Sequence, residues 1–353
     1  MNIKKWLNHV FIDGLSGMAT GLFATLIIGT IIQQIGLFID GTIGDTLYFI
    51  GKISATMTGA GIGCGVAYKY KEAPLVVLSA ATAGMVGAFA SKILEGTVFV
   101  DGVMHFAGPG EPLGAFIAAY IAIEAGHLVS GKTKIDILIT PFISIISGSI
   151  IGLIFGPPIS AFMVWLGSLI NWGTVQQPFV MGIIVSVLMG MILTLPISSA
   201  ALGIILSLDG IAAGAATVGC CANMIGFAVS SYRENKIGGL FAQGLGTSML
   251  QIPNIVRKPI IWLPVIITSA ILGPISTVIL GMTNNPTGSG MGTAGLVGPL
   301  MAFQTMTQTQ EPIIVLLQIV IMLFILPGAI SLVISEFMRK KGWIKDGDMK
   351  LDI

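Results

Sequence analysis

The chain has 353 residues, of which 54% are hydrophobic and 9% charged, with a mean hydropathy of +0.94 and a net charge of +1. A soluble domain carries roughly a quarter charged residues, so this composition cannot cover a water-facing surface and lipid is the expected solvent. The near-zero net charge supplies no basic face for phosphates and excludes a nucleic-acid partner.

Lys4 and Lys5 precede an uncharged run from Leu15 to Phe38. That run is long enough to span a bilayer and lacks the short apolar core of a cleaved signal, so it is read as a retained first transmembrane helix. Further uncharged windows place spans near 47–68, 73–92, 113–130, 137–155, 178–196, 210–231, 259–282 and 312–338. Shorter apolar pieces near 157–171, 197–208, 238–252 and 291–305 fit re-entrant or interfacial segments.

Basic clusters at Lys4/Lys5, Lys69/Lys71, Lys132/Lys134, Arg233/Lys236 and Arg339/Lys340/Lys341/Lys345 set the orientation. Assigned to the inner face, they give both termini in the cytoplasm and about ten crossings. Lys52, Lys92 and Arg257/Lys258 fit this scheme less cleanly, and the stretch 137–232 is compatible with two or four crossings. The fold expected is an all-α polytopic membrane protein, one integral domain over 1–353, with about ten transmembrane helices and re-entrant segments. A weak internal repeat accompanies it. GLFATLIIGTIIQ (21–33) resembles GLFAQGLGTSMLQ (239–251), and TAGMVG (82–87) resembles TAGLVG (293–298). Glu111-Pro112 and Glu311-Pro312 come third in each series. Repeat-like halves of about 15–135 and 237–338 would then be joined by helices in 137–231, as in transporters that bind solute at a repeat interface.

Each Glu-Pro pair is expected to start an inward-running helix. Pro suits the first helical turn and an acid favours the positive end of the dipole, so capping alone explains the pair. A binding role is suggested for Glu111 by the preceding Gly108-Pro109-Gly110 and by nearby His105. Glu311 follows a Gln/Thr run ending at Gln310, itself after the Gly-rich NNPTGSGMGTAG (284–295). Asn284 and Asn285 are able to bond hydroxyls through amide donors and acceptors, or to form turns. Asp209 is the one formal charge between Asp136 and Arg233, costly if lipid-facing, or a cap for the helix after Gly210. Glu124 and His127 share a helix face, while Asn223, Thr247, Ser248 and Gln251 fit interhelical hydrogen bonding. The run Gly59-x-Gly61-x-Gly63-x-Gly65 permits close helix contact. Cys64, Cys220 and Cys221 sit in apolar segments as small hydrophobes. No phosphate-cradling loop, zinc spacing or nucleophile elbow is present, and no cofactor is expected.

The GPGEP and TQEP signatures, with GLGTSMLQIPNI and TNNPTGSGMGTAGLVGP, resemble the membrane (IIC) component of the sugar phosphotransferase system, in the branch typified by the perfringolysin-O regulator. The resemblance implies a bacterial plasma-membrane homodimer that moves a small polar solute, a sugar or polyol, by alternating access. It also implies that Glu111 or Glu311 binds hydroxyls beside a His, for which His105 is nearest in sequence. Separate IIA and IIB phosphocarriers would be partners, since neither domain is in the chain. A non-transporting sensor on the same fold, and a carrier of an amphiphile, are the alternatives.

Overall fold

The computed structural model describes residues 3–106 and 108–351; Ala107, inside the FAGPGEP stretch, lies outside them. Helix dominates, and the described residues contain one two-residue antiparallel hairpin, β1 (Phe99–Val100) with β2 (Val103–Met104). The chain divides into two compact units, 1–164 and 165–353.

The first unit begins with α1 (Lys5–Leu37), a 33-residue apolar span. It is followed by α2 (Thr42–Thr56), α3 (Thr58–Lys69), α4 (Pro74–Ala88), the short α5 (Ala90–Leu94) and α6 (Pro112–Val129). Small residues set the spacing. Alternating glycines in α3 point to opposite faces, because residues two apart on a helix differ by about 200°. Gly61 and Gly65 meet α1, where a Cβ on Gly21 would lie 2.0 Å from Gly61 O and one on Gly65 2.2 Å from Gly17 O. Gly59 and Gly63 meet α4, where a Cβ on Gly63 would lie 2.2 Å from Ala80 O. Backbones therefore touch on both sides of α3, the mode by which helices associate in lipid, where no hydrophobic drive separates Leu from lipid tails.

Next comes α7 (Asp136–Thr174), one helix of 39 residues with Pro141, Pro157 and Pro158 inside it. The span expected near 137–155 and the separate short piece expected near 157–171 are thus one continuous helix. Each proline forfeits one intrahelical hydrogen bond, but the φ it imposes is helical, and the turn continues through it. At 1.5 Å per residue α7 is about 58 Å long, well beyond a hydrocarbon core of about 30 Å.

The second unit holds α8 (Pro178–Thr194), α9 (Ser199–Ile205), α10 (Gly210–Ser230) and α11 (Tyr232–Phe241), kinked at Lys236 (φ 51°). A π turn (Ala242–Gly246) and a 3-10 turn (Ser248–Gln251) lead to α12 (Ile252–Arg257). Then come α13 (Pro259–Leu280), the single-turn α14 (Pro286–Ser289), α15 (Val297–Met306) and α16 (Pro312–Lys340). The axis is α10, with 83% of its apolar window buried and α8, α13 and α16 packed around it. Asn223, midway along it, accepts from Trp262 Nε1 (3.1 Å) and Thr194 Oγ1 (3.2 Å) and donates to Ser269 Oγ (3.2 Å). Asn223 thus joins α8, α10 and α13, as its place in an apolar run predicts, whereas Thr247 makes a local bond and accepts from Met249 N (3.1 Å).

Among the described residues six helices are long and apolar enough to cross a membrane: α1, α6, α7, α10, α13 and α16. The matched stretches of the internal repeat differ in local form. Residues 21–33 are a continuous part of α1, whereas 239–251 run from α11 through the π and 3-10 turns. Residues 82–87 lie within α4, whereas 293–298 include left-handed Gly295 and Leu296.

Candidate functional site

Two interruptions in the helices of the second unit meet. The first follows α8. Pro196 cannot continue the hydrogen-bond ladder, and Leu195 is extended. Ser198 then caps α9 by accepting from Ala201 N (3.3 Å). After seven helical residues Ser207 turns left-handed (φ 48°), and extended Asp209 with Gly210 (φ 59°) opens α10. The second interruption follows α13. Gly281 (φ 56°) ends that helix, Asn285 caps α14 by accepting from Gly288 N (2.9 Å), and Gly292, Gly295 and Leu296 all take positive φ before α15.

Glycine lets the two meet backbone to backbone. A Cβ on Gly290 would lie 2.2 Å from Ser199 O, and one on Gly203 would lie 2.2 Å from Ser289 Oγ. Ser199 Oγ donates to Gly290 O (2.7 Å). An antiparallel bridge joins Gly210 to Asn284, whose N–H donates to Gly210 O (3.1 Å). Asn284 is fully buried and its amide is fully used. Nδ2 donates to Thr217 Oγ1 (2.7 Å) and Gly298 O (3.0 Å), and Oδ1 accepts from Asn285 N (2.8 Å). The side chain pins the glycine-rich loop to α10 and α15. Cys220 lies beneath, with Sγ donating to Met189 O (3.5 Å) and Ser289 O (3.7 Å).

An antiparallel bridge sets the residues that flank it opposite one another. Asp209 and Asn285 are therefore cross-strand neighbours, although Gly210 and Asn284 are 74 positions apart in the chain. Asp209 is exposed and makes no capping bond to α10, so the capping role open to it in the sequence is not taken up. Asn285 is half-buried, and its Nδ2 makes no hydrogen bond among the described residues. A carboxylate acceptor beside an amide donor is the complement of a hydroxyl pair.

The remaining candidates lie elsewhere on their units. Glu111 is the N-cap of α6, with Pro112 in the first turn; its side chain accepts from Leu113 N (3.5 Å) and its N–H donates to Ala88 O (2.8 Å). Gly110 (φ 73°) is pressed on the end of α4, where a Cβ would meet Ala88 Cβ at 2.7 Å. His105 follows β2, exposed, and donates its backbone N–H to Val98 O (2.7 Å). Glu311 is the N-cap of α16, again with Pro in the first turn, but is exposed and makes no side-chain cap bond; Gln310 N donates to Met306 O (3.0 Å). Both Glu-Pro pairs thus start long helices. His105 and Glu111 belong to the first unit, while Asp209, Asn284, Asn285, Gln310 and Glu311 belong to the second.

A second polar group in the first unit was only half visible in sequence. Glu124 and His127 share a helix but take different partners: His9 Nε2 lies 3.5 Å from Glu124, and His127 Nδ1 lies 3.0 Å from Glu72. His9 stacks on Tyr70 (3.8 Å between centroids), whose hydroxyl donates to His9 O (2.8 Å). Burial, and then the charges near it, push the Tyr70 phenol well above its ordinary range. These groups line a cavity of about 470 Å³. Among the described residues no set of three or more His, Cys, Asp or Glu is placed to hold a metal ion.

No curated protein gives a significant match to the sequence. The model of one family, described as phosphotransferase system, EIIC, matches residues 12–351. That match covers nearly the whole chain and agrees with its helical spans, so the chain is a multi-pass membrane protein that belongs to the phosphotransferase system EIIC family.

Proposed function

We propose that this EIIC protein carries a small polar solute, a sugar or polyol, by alternating access across a bacterial plasma membrane with both termini inside. The observation that carries this reading is the pairing of Asp209 with Asn285 where two broken helices meet. Transporters place solutes at such discontinuous helices, where irregular backbone and helix ends face the ligand. Asp209 accepts from a hydroxyl and Asn285 Nδ2 donates to its neighbour. Asn284 acts through the loop, which it holds in place. Glu111 with His105, and Gln310 with Glu311, are further candidate solute contacts, each tested within its own unit. The regulator-like branch, a homodimer and separate IIA and IIB phosphocarriers belong to the same proposal.

The test is uptake of labelled sugars and polyols into proteoliposomes, with binding followed by ligand-induced thermal shift. Asp209→Asn should weaken binding of a transported solute by about tenfold, the worth of one charged hydrogen bond of about 1.4 kcal/mol. Asn285→Ala should do the same. Glu111→Gln and Glu311→Gln report on the other two positions. Unchanged affinity in both Asp209→Asn and Asn285→Ala would remove the site from the junction. Solute binding without flux for any member of the panel would favour the sensor instead.

A further inference from the structure

The segment Trp343–Leu351, beyond α16, is tied by side chains that read its backbone. Asn235 donates from Nδ2 to Met349 O (2.8 Å) and accepts from Leu351 N (2.8 Å). Gln251 Nε2 donates to Met349 O (3.0 Å), and Asn254 Nδ2 to Lys350 O (2.9 Å). Two aspartates of the segment are held by ion pairs, Asp348 by Lys258 and Asp346 by Arg339. Ile344, Met349 and Leu351 are buried. The segment is a run of turns, with Asp348 N donating to Lys345 O (3.1 Å) and Lys350 N to Gly347 O (3.2 Å), and it is bound as a docked peptide is: bonds to its main chain give affinity and pockets take its apolar side chains.

The same amides continue inward. The second hydrogen of Gln251 Nε2 goes to Gln243 Oε1 (2.9 Å), and that of Asn254 Nδ2 to Gln251 Oε1 (2.9 Å). Gln243 Nε2 donates to Ser231 Oγ (2.9 Å). All three amides are buried with the segment in place, and releasing it would take one acceptor from Gln251 Nε2 and one from Asn254 Nδ2. Gln243 stands in the π turn Ala242–Gly246, which packs on Ala294–Leu296 of the glycine-rich loop. In the adjoining 3-10 turn, Ser248 Oγ bonds Thr194 Oγ1 (2.8 Å), the last residue of α8 before the first break. Both interruptions that form the junction are thus buttressed by elements that the terminal segment clamps.

We infer that Trp343–Leu351 is a strap, a peptide ligand bound in cis, that keeps the glycine-rich loop seated on α10. Its release loosens the loop through Gln251, Gln243 and the π turn. The inference concerns the loop's opening and stands whether or not the junction binds a solute.

Cys220 is a native reporter, buried under Ser289 and Gly292 of the loop. Cys64, in the first unit and half-buried, is the internal reference. The experiment follows N-ethylmaleimide labelling of both thiols by mass spectrometry, in purified full-length protein on a Cys221→Ala background. Two strap variants are compared with it, the full-length Asn235→Ala/Asp348→Asn and a chain ending at Gly342. Hydrogen exchange of the α11–α12 region confirms release. Labelling of Cys220 should rise about fivefold or more, as expected for losing at least one net hydrogen bond of about 1 kcal/mol from the closed state. Cys64 should not change, and a synthetic peptide of residues 342–351 should restore slow labelling of the shortened chain. A Cys220 rate within about twofold of the parent in both variants would overturn the inference. So would an equal rise at Cys64, or a rise that the peptide does not reverse, since either reports general loosening.

Discussion

The substitution Asn284→Ala separates holding the loop from binding a solute. It removes two donated bonds and one accepted bond inside a fully buried site. Thr217 keeps a partner, since its hydroxyl still donates to Ala213 O (2.8 Å). Gly298 O and Asn285 N lose their side-chain partner. Each buried group left unsatisfied costs about 1–3 kcal/mol, so the loss is about 2–6 kcal/mol. Asn285→Ala removes one capping bond from a half-buried side chain, worth about 0.5–2 kcal/mol and here toward the lower end. Thermal unfolding in detergent reads the difference. In a unit of this size 1 kcal/mol moves the midpoint by about 2–4 °C, so Asn284→Ala should unfold roughly 5–15 °C early and Asn285→Ala within about 4 °C of the parent. Cys220 should also label faster in Asn284→Ala. A melting point for Asn284→Ala indistinguishable from that of Asn285→Ala would refute the assignment of Asn284 as the pin of the loop.

Other predictions follow from the same geometry. Gly21→Ala forces a Cβ to within 2.0 Å of Gly61 O and should destabilise by about 1–3 kcal/mol, whereas Gly238→Ala, with open space around it, should be neutral or stabilising in the same melt. Arg339→Gln leaves Glu234, 5% exposed, without its cation and should cost about 3–5 kcal/mol; the paired change Arg339→Met/Glu234→Leu should recover most of it, and a single variant as stable as the parent would contradict the argument. Burial opposes ionisation of Asp348, but its bonds to Lys258 and to the Lys345 N–H, with the charges of both lysines, prevail and lower its pKa below the ordinary 3.8. A depressed folded value means that the stabilisation is whole above the ordinary value and is lost as pH falls through the folded one. The parent should therefore out-melt Asp348→Asn at pH 7, and the gap should close as the pH falls below about 3.8.

What the sequence made legible was local. The long uncharged windows became helices, and both Glu-Pro pairs became helix starts, because capping is decided within a turn. The breaks after Thr194 and Leu280 were visible as Pro, Gly and Asn clusters. The pairing of Asp209 with Asn285 was not, since one backbone bridge between distant segments leaves no periodicity behind. Nor was the continuity of α7 through its prolines, because a ring that forfeits one bond only weakens a helix whose other hydrogen bonds continue before and after it. The His9–Glu124 and His127–Glu72 pairs hid for a third reason: each histidine's partner lies on another element, while the helical spacing of Glu124 and His127 suggested each other.

The glycines of α3 have a consequence for motion. Where helices meet through long side chains, one can slide or turn while rotamers adjust. Where the glycines of α3 meet α1 and α4, the close contacts are largely backbone against backbone, on two opposite faces. Turning α3 by even a fraction of a turn would drive its Cα atoms into both neighbours. The three helices then travel as one slab, to which α2 is held by the same kind of contact between Gly29 of α1 and its own Gly51, and a shape change in the first unit has its hinge beyond α4 and not within the slab.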